Sequence, residues 1–468
     1  MRWWYDIGEC IYFFVNRKNM SIKIVNIVLG KKVRIMISTN RLMLYKDFVY
    51  NDIFYGIANI ISASLNGEDI ISEDIVDRAY ECVNKLIEVT DTYGLEGNLY
   101  HSFLTFLLVN NENAFSISCE KIGNREGSIN SIAKNDLEIF KGLFDVDLCK
   151  LDEKLGTKCF GFLVDYKHKD GNSKVFNRRV RDSICNLAKE LADALNVDAF
   201  YDKLVEFYKA TGVGKLGLNK AFRIEMDEND KAVLMPVTSI EHVYLDDLIG
   251  YEIQKKKLID NTEDFVSGRP ANNALLYGDS GTGKSSSIKA ILNEYYDRGL
   301  RMIEVYKHQF KELSKIIEQV KDRNYKFIVY MDDLSFEDYE IEYKYLKAII
   351  EGGLSKKPNN VLIYATSNRR HLVREKWQDK EDRDQDLHTN DTVQEKLSLV
   401  NRFGVTICYQ RPNKKEFQEI IRVLAKRHNI VMDENELLLK ANAWELSHGG
   451  ISGRTAQQFI NYIVGQYS

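Results

Sequence analysis

One octapeptide constrains this chain more than any other feature: Gly278-Asp-Ser-Gly-Thr-Gly-Lys284-Ser285. It satisfies every fixed position of the pattern GxxxxGK[ST]. The residues before it, Ala274–Tyr277, form a short apolar run that reads as a strand, and Ser286–Arg298 read as a helix. A strand, a glycine loop and a helix in that order form a cradle for phosphate. The glycines let main-chain N–H groups close around phosphate oxygens, and the helix N-terminus adds partial positive charge. Lys284 is placed to reach the β- and γ-phosphates, and the Ser285 hydroxyl to ligate Mg²⁺. The expected nucleotide contacts are Gly278, Asp279, Ser280, Gly281, Thr282, Gly283, Lys284, Ser285 and Ser286.

Such a loop needs an acid at the end of a neighbouring strand to hold the metal. The run Phe327-Ile-Val-Tyr-Met331 leads into Asp332-Asp333. Asp332 is the expected Mg²⁺ partner and Asp333 the carboxylate that orients an attacking water, with Glu337 as its rival. A further apolar run, Val361–Ala365, ends in Thr366-Ser-Asn368. A polar side chain here would lie between the glycine loop and the Asp332 strand, so Asn368 is expected to bond the water or sense the γ-phosphate. Arg402 precedes Pro412 in Leu399-Val-Asn-Arg402-Phe-Gly404, where an arginine serves as a finger toward a neighbouring subunit's nucleotide. Arg454, at the start of the last helical pattern, can reach the phosphates from a lid.

The second half alternates short apolar runs (273–277, 302–305, 327–331, 361–365) with helical stretches, the signature of a parallel α/β sheet. After Pro412 the strands stop and three helical patterns finish the chain. The first half differs. Proline averages roughly 5% of residues, yet all four here follow residue 235, which suggests a first half built mainly of helices. Ser72–Val89, Phe176–Leu195 and Asp198–Ala210 carry helical periodicity, and Asn113–Ser118 is a candidate strand. The loop Gly212–Gly217 lacks the GK[ST] ending and reads as a plain helix-ending loop. Seams are expected near 230–245 and at Pro412. The division is then a basic, aromatic leader (1–41), a mainly helical region (42–240), an α/β nucleotide core (241–412) and a helical lid (413–468).

Net charge is −4 and the pI near 6.2, so the chain has no strong nucleic-acid footprint. Seven scattered cysteines without CxxC spacing read as buried small hydrophobes in a reducing cytoplasm. No stretch is apolar enough for a membrane span. The segment 369–386 holds six Lys/Arg and six Asp/Glu, too polar for a core, and reads as a mobile loop or a contact with a neighbouring subunit or client.

The ordered set of glycine loop, acidic strand end, Asn368, Arg402 and Arg454 resembles the AAA+ ATPases over roughly residues 241–468. In that resemblance Ile249-Gly250-Tyr251 matches the segment lining the adenine, so Ile249 and Gly250 join the expected nucleotide contacts. More narrowly, Tyr277–Ser285, Asp332-Asp-Leu-Ser-Phe-Glu337, Tyr364-Ala-Thr-Ser-Asn-Arg-Arg-His371 and Glu395-Lys-Leu-Ser-Leu399 resemble a bacterial domain-of-unknown-function family, number 815. The resemblance implies a P-loop AAA+ core with a C-terminal helical lid, an ATPase that forms a homo-oligomer, and a protein or nucleic-acid client. Two positions depart from the superfamily pattern: Asp333 stands where Glu is usual, and Asn401 where Asp would precede the arginine. The shorter Asp333 keeps a second expectation open, a nucleotide-dependent switch with little hydrolysis. A third, a DNA-associated loader, is disfavoured by the acidic pI.

Overall fold

The computed structural model describes residues 39–66, 72–167, 178–237, 240, 243–337, 340–351, 358–370, 372 and 399–467. The leader up to residue 38 and most of the charged 369–386 segment lie outside them. The chain divides into two units, Met1–Gly217 and Leu218–Ser468.

Among its described residues the first unit is helical: α1 (Asn51–Asn66), α2 (Glu73–Thr92), α3 (Leu99–Asn110), α4 (Ala114–Ile122), α5 (Ser128–Phe144), α6 (Leu148–Leu155), α7 (Arg178–Ala192), α8 (Val197–Ala210) and the short α9 (Gly214–Leu218) at its end. Helix α3 is apolar on all sides and is buried almost along its whole length. Several of its buried polar groups are paired. Asp136 accepts the main-chain N–H groups of Met43, Leu44 and Tyr45 at 2.7–3.1 Å, and Tyr208 donates to the Leu108 carbonyl while meeting the Tyr45 hydroxyl.

Residues 113–118, expected as a strand, open α4 instead. The Asn113 side chain accepts from Phe115 N and Ser116 N, and the Ser116 hydroxyl accepts from Asn113 N, each at 2.9 Å. This reciprocal cap nucleates a helix that a strand register could not satisfy. Phe115 and Cys119, four apart, then form its buried stripe. The Gly212–Gly217 stretch turns its backbone to a carboxylate: Val213 N donates to Glu120 Oε2 at 3.0 Å.

The second unit carries a seven-stranded sheet of β1 (Ala221–Met226), β2 (Ala232–Pro236), β3 (Ala274–Gly278), β4 (Leu300–Glu304), β5 (Lys326–Met331), β6 (Val361–Ser367) and β7 (Val405–Tyr409). The order is β2-β1-β4-β5-β6-β3-β7, parallel except for the β1–β2 hairpin. The four apolar runs read from sequence are β3, β4, β5 and β6. The β1–β2 hairpin lies on this sheet, and the second unit begins at Leu218, ahead of the 230–245 stretch expected as a seam. Pro236 closes the edge strand β2, where a missing N–H costs no ladder bond.

Helices α10 (Glu252–Val266), α11 (Lys284–Tyr295), α12 (Phe310–Val320) and α13 (Glu342–Glu351) accompany the sheet. Ile288, Ile291 and Leu292 of α11 share one apolar core with Leu276, Ile328, Leu362 and Ile407 of the strands. After β7 come α14 (Lys414–Arg427), α15 (Glu434–Ser447) and α16 (Gly453–Tyr467), packed around Phe417, Ile421, Phe459 and Ile460.

Candidate nucleotide site

Sheet order builds the site. β6 lies between β3 and β5, so Asn368, one residue past β6, emerges between the glycine loop after β3 and the Asp332-Asp333 turn after β5. The glycine loop needs its glycines for stated reasons. Gly278 has φ 132, and a Cβ there would meet the Tyr409 carbonyl at 2.0 Å; Gly281 (φ 76) faces Ser452 and Arg454 at 3.0–3.1 Å.

Lys284, the first residue of α11, is 7% exposed. Its ammonium donates to the carbonyls of Gly278 (2.9 Å) and Asp279 (2.6 Å) and to Asn368 Oδ1 (3.1 Å). Burial pushes its pKa down, opposed by the charges of Asp333, Asp279 and Asp332. The Asn368 amide donates in turn to Asp333 Oδ1 at 2.8 Å. One asparagine thus bridges the lysine and the acid. Beside them, the Ser285 and Thr366 hydroxyls both donate to Asp332 Oδ1, at 2.7 and 2.6 Å. Burial pushes the Asp332 carboxyl up, but the bonds from Thr366 and Ser285 outweigh it and the net direction is down. Asp332 is therefore an anion at neutral pH. A hydroxyl and an ionised carboxylate side by side are the hard oxygen donors that suit Mg²⁺, which binds few protein ligands and keeps several waters.

These groups line one wall of a cleft of about 700 Å³ between the sheet and the C-terminal helices. Of the residues expected from sequence, Ile249, Ser280, Gly281, Thr282, Gly283, Lys284, Ser285, Ser286, Asp332, Asp333, Asn368 and Arg454 line it. Gly250, Gly278 and Asp279, also expected, do not line it. Gly250 (φ 81) makes the turn into Tyr251, and Asp279 Oδ2 accepts from Arg411 N at 3.0 Å. The opposite end is apolar, with Ile249, Leu248, Ile420 and Leu424. Arg454 N donates to the Gly281 carbonyl at 3.2 Å, so the start of α16 rests on the glycine loop. Arg402 does not line the cleft; its guanidinium pairs with Glu351 at the end of α13. Glu337 does not line it either, and its carboxylate lies 4.0 Å from Arg369.

Sequence reasoning missed Thr366 and Gln457. Thr366 holds both acids, donating to Asp332 and accepting Asp333 N at 2.9 Å. Its signal was available: it stands two residues before Asn368 on β6. Gln457 lines the cleft from α16, one helical turn after Arg454.

A P-loop followed by Asp332, with the Asn368 strand between them and a C-terminal helical group beyond, gives the second unit the arrangement of an AAA+ type P-loop fold. The family model DUF815, described as a protein of unknown function, matches residues 218–467, and the chain belongs to this family. The start of the match coincides with the boundary between the two units. Among curated proteins, the replication factor C large subunit of Staphylothermus marinus is 35% identical over 71 residues, which span 15% of this chain and 16% of that protein. Among solved structures, a mutant of Thermotoga maritima RuvB is 17% identical with a TM-score of 0.34, covering 47% of this chain and 65% of its own. The Thermotoga maritima RuvB Holliday junction branch migration motor is 15% identical with a TM-score of 0.31, covering 47% and 71%. None of the helices among the described residues is long and apolar enough to cross a membrane.

Proposed function

We propose that this chain is a cytoplasmic ATPase that binds ATP in the cleft between sheet and lid and hydrolyses it by in-line attack of water. The observation that carries the reading is the continuous chain Lys284–Asn368–Asp333 beside the pair Ser285–Asp332. Adenine fits the apolar end at Ile249 and Gly250, with the phosphates over the glycine loop. Lys284 exchanges its bonds to Gly278, Asp279 and Asn368 for phosphate oxygens. That exchange frees Asn368, and with it Asp333, to hold the attacking water. Asp333 accepts the proton that the water loses. Ser285 and Asp332 hold the Mg²⁺, which supplies charge neutralisation at the phosphates. Arg454 stabilises developing charge from the lid. Arg402 serves a neighbouring copy, consistent with its place outside its own cleft, and the chain acts as a homo-oligomer. Movement of the lid and of the N-terminal helices acts on a protein or nucleic-acid client.

ATP turnover measured against protein concentration, with particle size followed by light scattering, tests this. Turnover per subunit should rise with concentration, and both Lys284→Ala and Arg402→Ala should abolish it. A rate that is unchanged by dilution and by Arg402→Ala would refute the shared site. A second reading, a switch with little hydrolysis, is favoured by the engagement of Asp333 with Asn368. If Asp333→Asn removes a measurable turnover, that reading loses.

A further inference from the structure

Of residues 279–286 in the glycine loop, Asp279 alone does not line the cleft. Its carboxylate turns instead to Gln410-Arg411-Pro412, the strap that joins β7 to the N-cap of α14 at Asn413. Asp279 Oδ2 accepts from Arg411 N at 3.0 Å, and Arg411 Nε lies 3.9 Å from Oδ1. The guanidinium pair is half exposed and contributes little, so the main-chain bond is what fixes the strap. The strap is short and stiff. Pro412 is buried, its ring fixes φ, and it keeps Arg411 out of the helical region. A displacement at Arg411 N is therefore carried into the first turn of α14 instead of being absorbed by rotation.

The same residue is tied to the lysine of the site. The Asp279 carbonyl accepts the Lys284 ammonium at 2.6 Å, closer than Gly278 O or Asn368 Oδ1. Asp279 N donates to the carbonyl of Tyr409, the last residue of β7, at 3.0 Å. One residue thus holds the strap by its side chain, the sheet by its N–H and the lysine by its carbonyl. A phosphate that takes the Lys284 ammonium releases the Asp279 peptide group from one of these three restraints. The base end of the cleft has separate links to the lid. The Tyr251 hydroxyl donates to Gln410 O at 3.0 Å, and Arg427, at the far end of α14, donates to the carbonyls of Asp246 and Asp247. A bound base therefore reaches α14 without passing through Asp279, whereas the phosphate end meets the strap at Asp279.

Resting on the ATP reading, we infer that Asp279 is a positioning residue that couples the phosphate end of the cleft to the lid. It touches no phosphate; it passes the change of partner at Lys284 to Arg411 N and so to α14. This separates it from the other residues of the glycine loop, which act on the nucleotide directly.

The test is amide hydrogen exchange of the full chain, read by mass spectrometry with and without saturating Mg²⁺ and inorganic tripolyphosphate. This probe has no base to meet Ile420 and Leu424, the residues of α14 that line the apolar end of the cleft. In wild type, exchange should change in α11, where the phosphates bind, and by about fivefold in residues 418–427 of α14, the low end of coupling between sites. Asp279→Ala should keep the α11 change and lose that of α14. Asp279→Asn keeps an oxygen acceptor for Arg411 N and should restore it. If the alanine variant fails to fold, Asp279→Ser, whose hydroxyl is too short to reach Arg411 N, takes its place with the same expectation. An α14 change equal to wild type in Asp279→Ala, a loss of both changes together, or no rescue by Asp279→Asn overturns the assignment. Wild type keeps the two levels apart. No change at α11, with tripolyphosphate or with a non-hydrolysable ATP analogue, removes the nucleotide reading and the coupling with it. A change at α11 without one at α14 removes only the coupling.

Discussion

Gly278→Ala isolates the steric demand of the glycine loop, and Gly299→Ala is its control. Both positions have left-handed backbone, with φ of 132 and 91. A methyl at Gly299 meets nothing within 4 Å, so that variant loses only the backbone preference, about 1–2 kcal/mol. At Gly278 the methyl would sit 2.0 Å from the Tyr409 carbonyl oxygen and 2.8 Å from its carbon. Backbone cannot swing aside as a side chain can. Relief requires β3 and β7 to part at the Gly278–Tyr409 pair, which loosens the 3.0 Å bond from Asp279 N to Tyr409 O. Adding roughly 1–3 kcal/mol of overpacking and about 1 kcal/mol for the weakened bond gives a total near 3–6 kcal/mol. Urea unfolding by circular dichroism measures this, with the transition of the second unit recognised by its shift with ATP. A Gly278→Ala loss within about 1 kcal/mol of the Gly299→Ala loss would refute the steric argument.

Thr366→Val removes the hydroxyl shared by Asp332 and Asp333 N, and should cost about 2 kcal/mol in that same transition while weakening Mg²⁺-dependent nucleotide binding. In the first unit, Asp152 accepts from Thr157 Oγ1, Phe160 N and Gly161 N, so Asp152→Asn should lower stability by about 1–3 kcal/mol in a transition that ATP does not shift. Asp332 titrates below the ordinary value of 3.8, so its contribution to stability is complete above that pH and is lost as pH falls through the depressed value. An acid titration by circular dichroism should therefore show a steeper loss below pH 3.8 in wild type than in Asp332→Asn. Asp333→Glu should destabilise the second unit by about 1 kcal/mol and leave ATP turnover no faster.

The parts legible in the sequence were those coded by contiguous residues. Continuous apolar runs gave β3, β4, β5 and β6 because strands buried on both faces need no alternation. Strands β1 and β7 escaped because their polar residues alternate with apolar ones. In β1, Phe222 and Ile224 are buried while Arg223 and Glu225 are exposed. The helix α4 was misread because its start is decided by two side-chain caps, Asn113 and Ser116, rather than by apolar pattern. In the site, the glycine loop and Asp332 are spelled by local motifs. Thr366 matters only because β6 lies between β3 and β5, a juxtaposition that no local spacing encodes.

The Asp332-Asp333 pair shows how backbone can choose a side chain. Read as chemistry alone, an aspartate in place of a glutamate suggests a slower reaction, its carboxylate one methylene further from the water. The turn supplies another cause. Asp333 has φ 48, a conformation in which aspartate is several-fold enriched and longer acids are not. Three bonds to the end of β6 fix it there: Asp333 N to Thr366 Oγ1, Leu334 N to the Thr366 carbonyl, and Asn368 Nδ2 to Asp333 Oδ1. A glutamate would give up the local preference and carry its carboxylate past the Asn368 amide. The short acid is thus the residue that the turn selects, and in the proposed reaction its reach to substrate would be set by where Asn368 stands. On this account the distance missing from the side chain is supplied by the release of Asn368 from Lys284. Lengthening the side chain disturbs that coupling instead of improving the base.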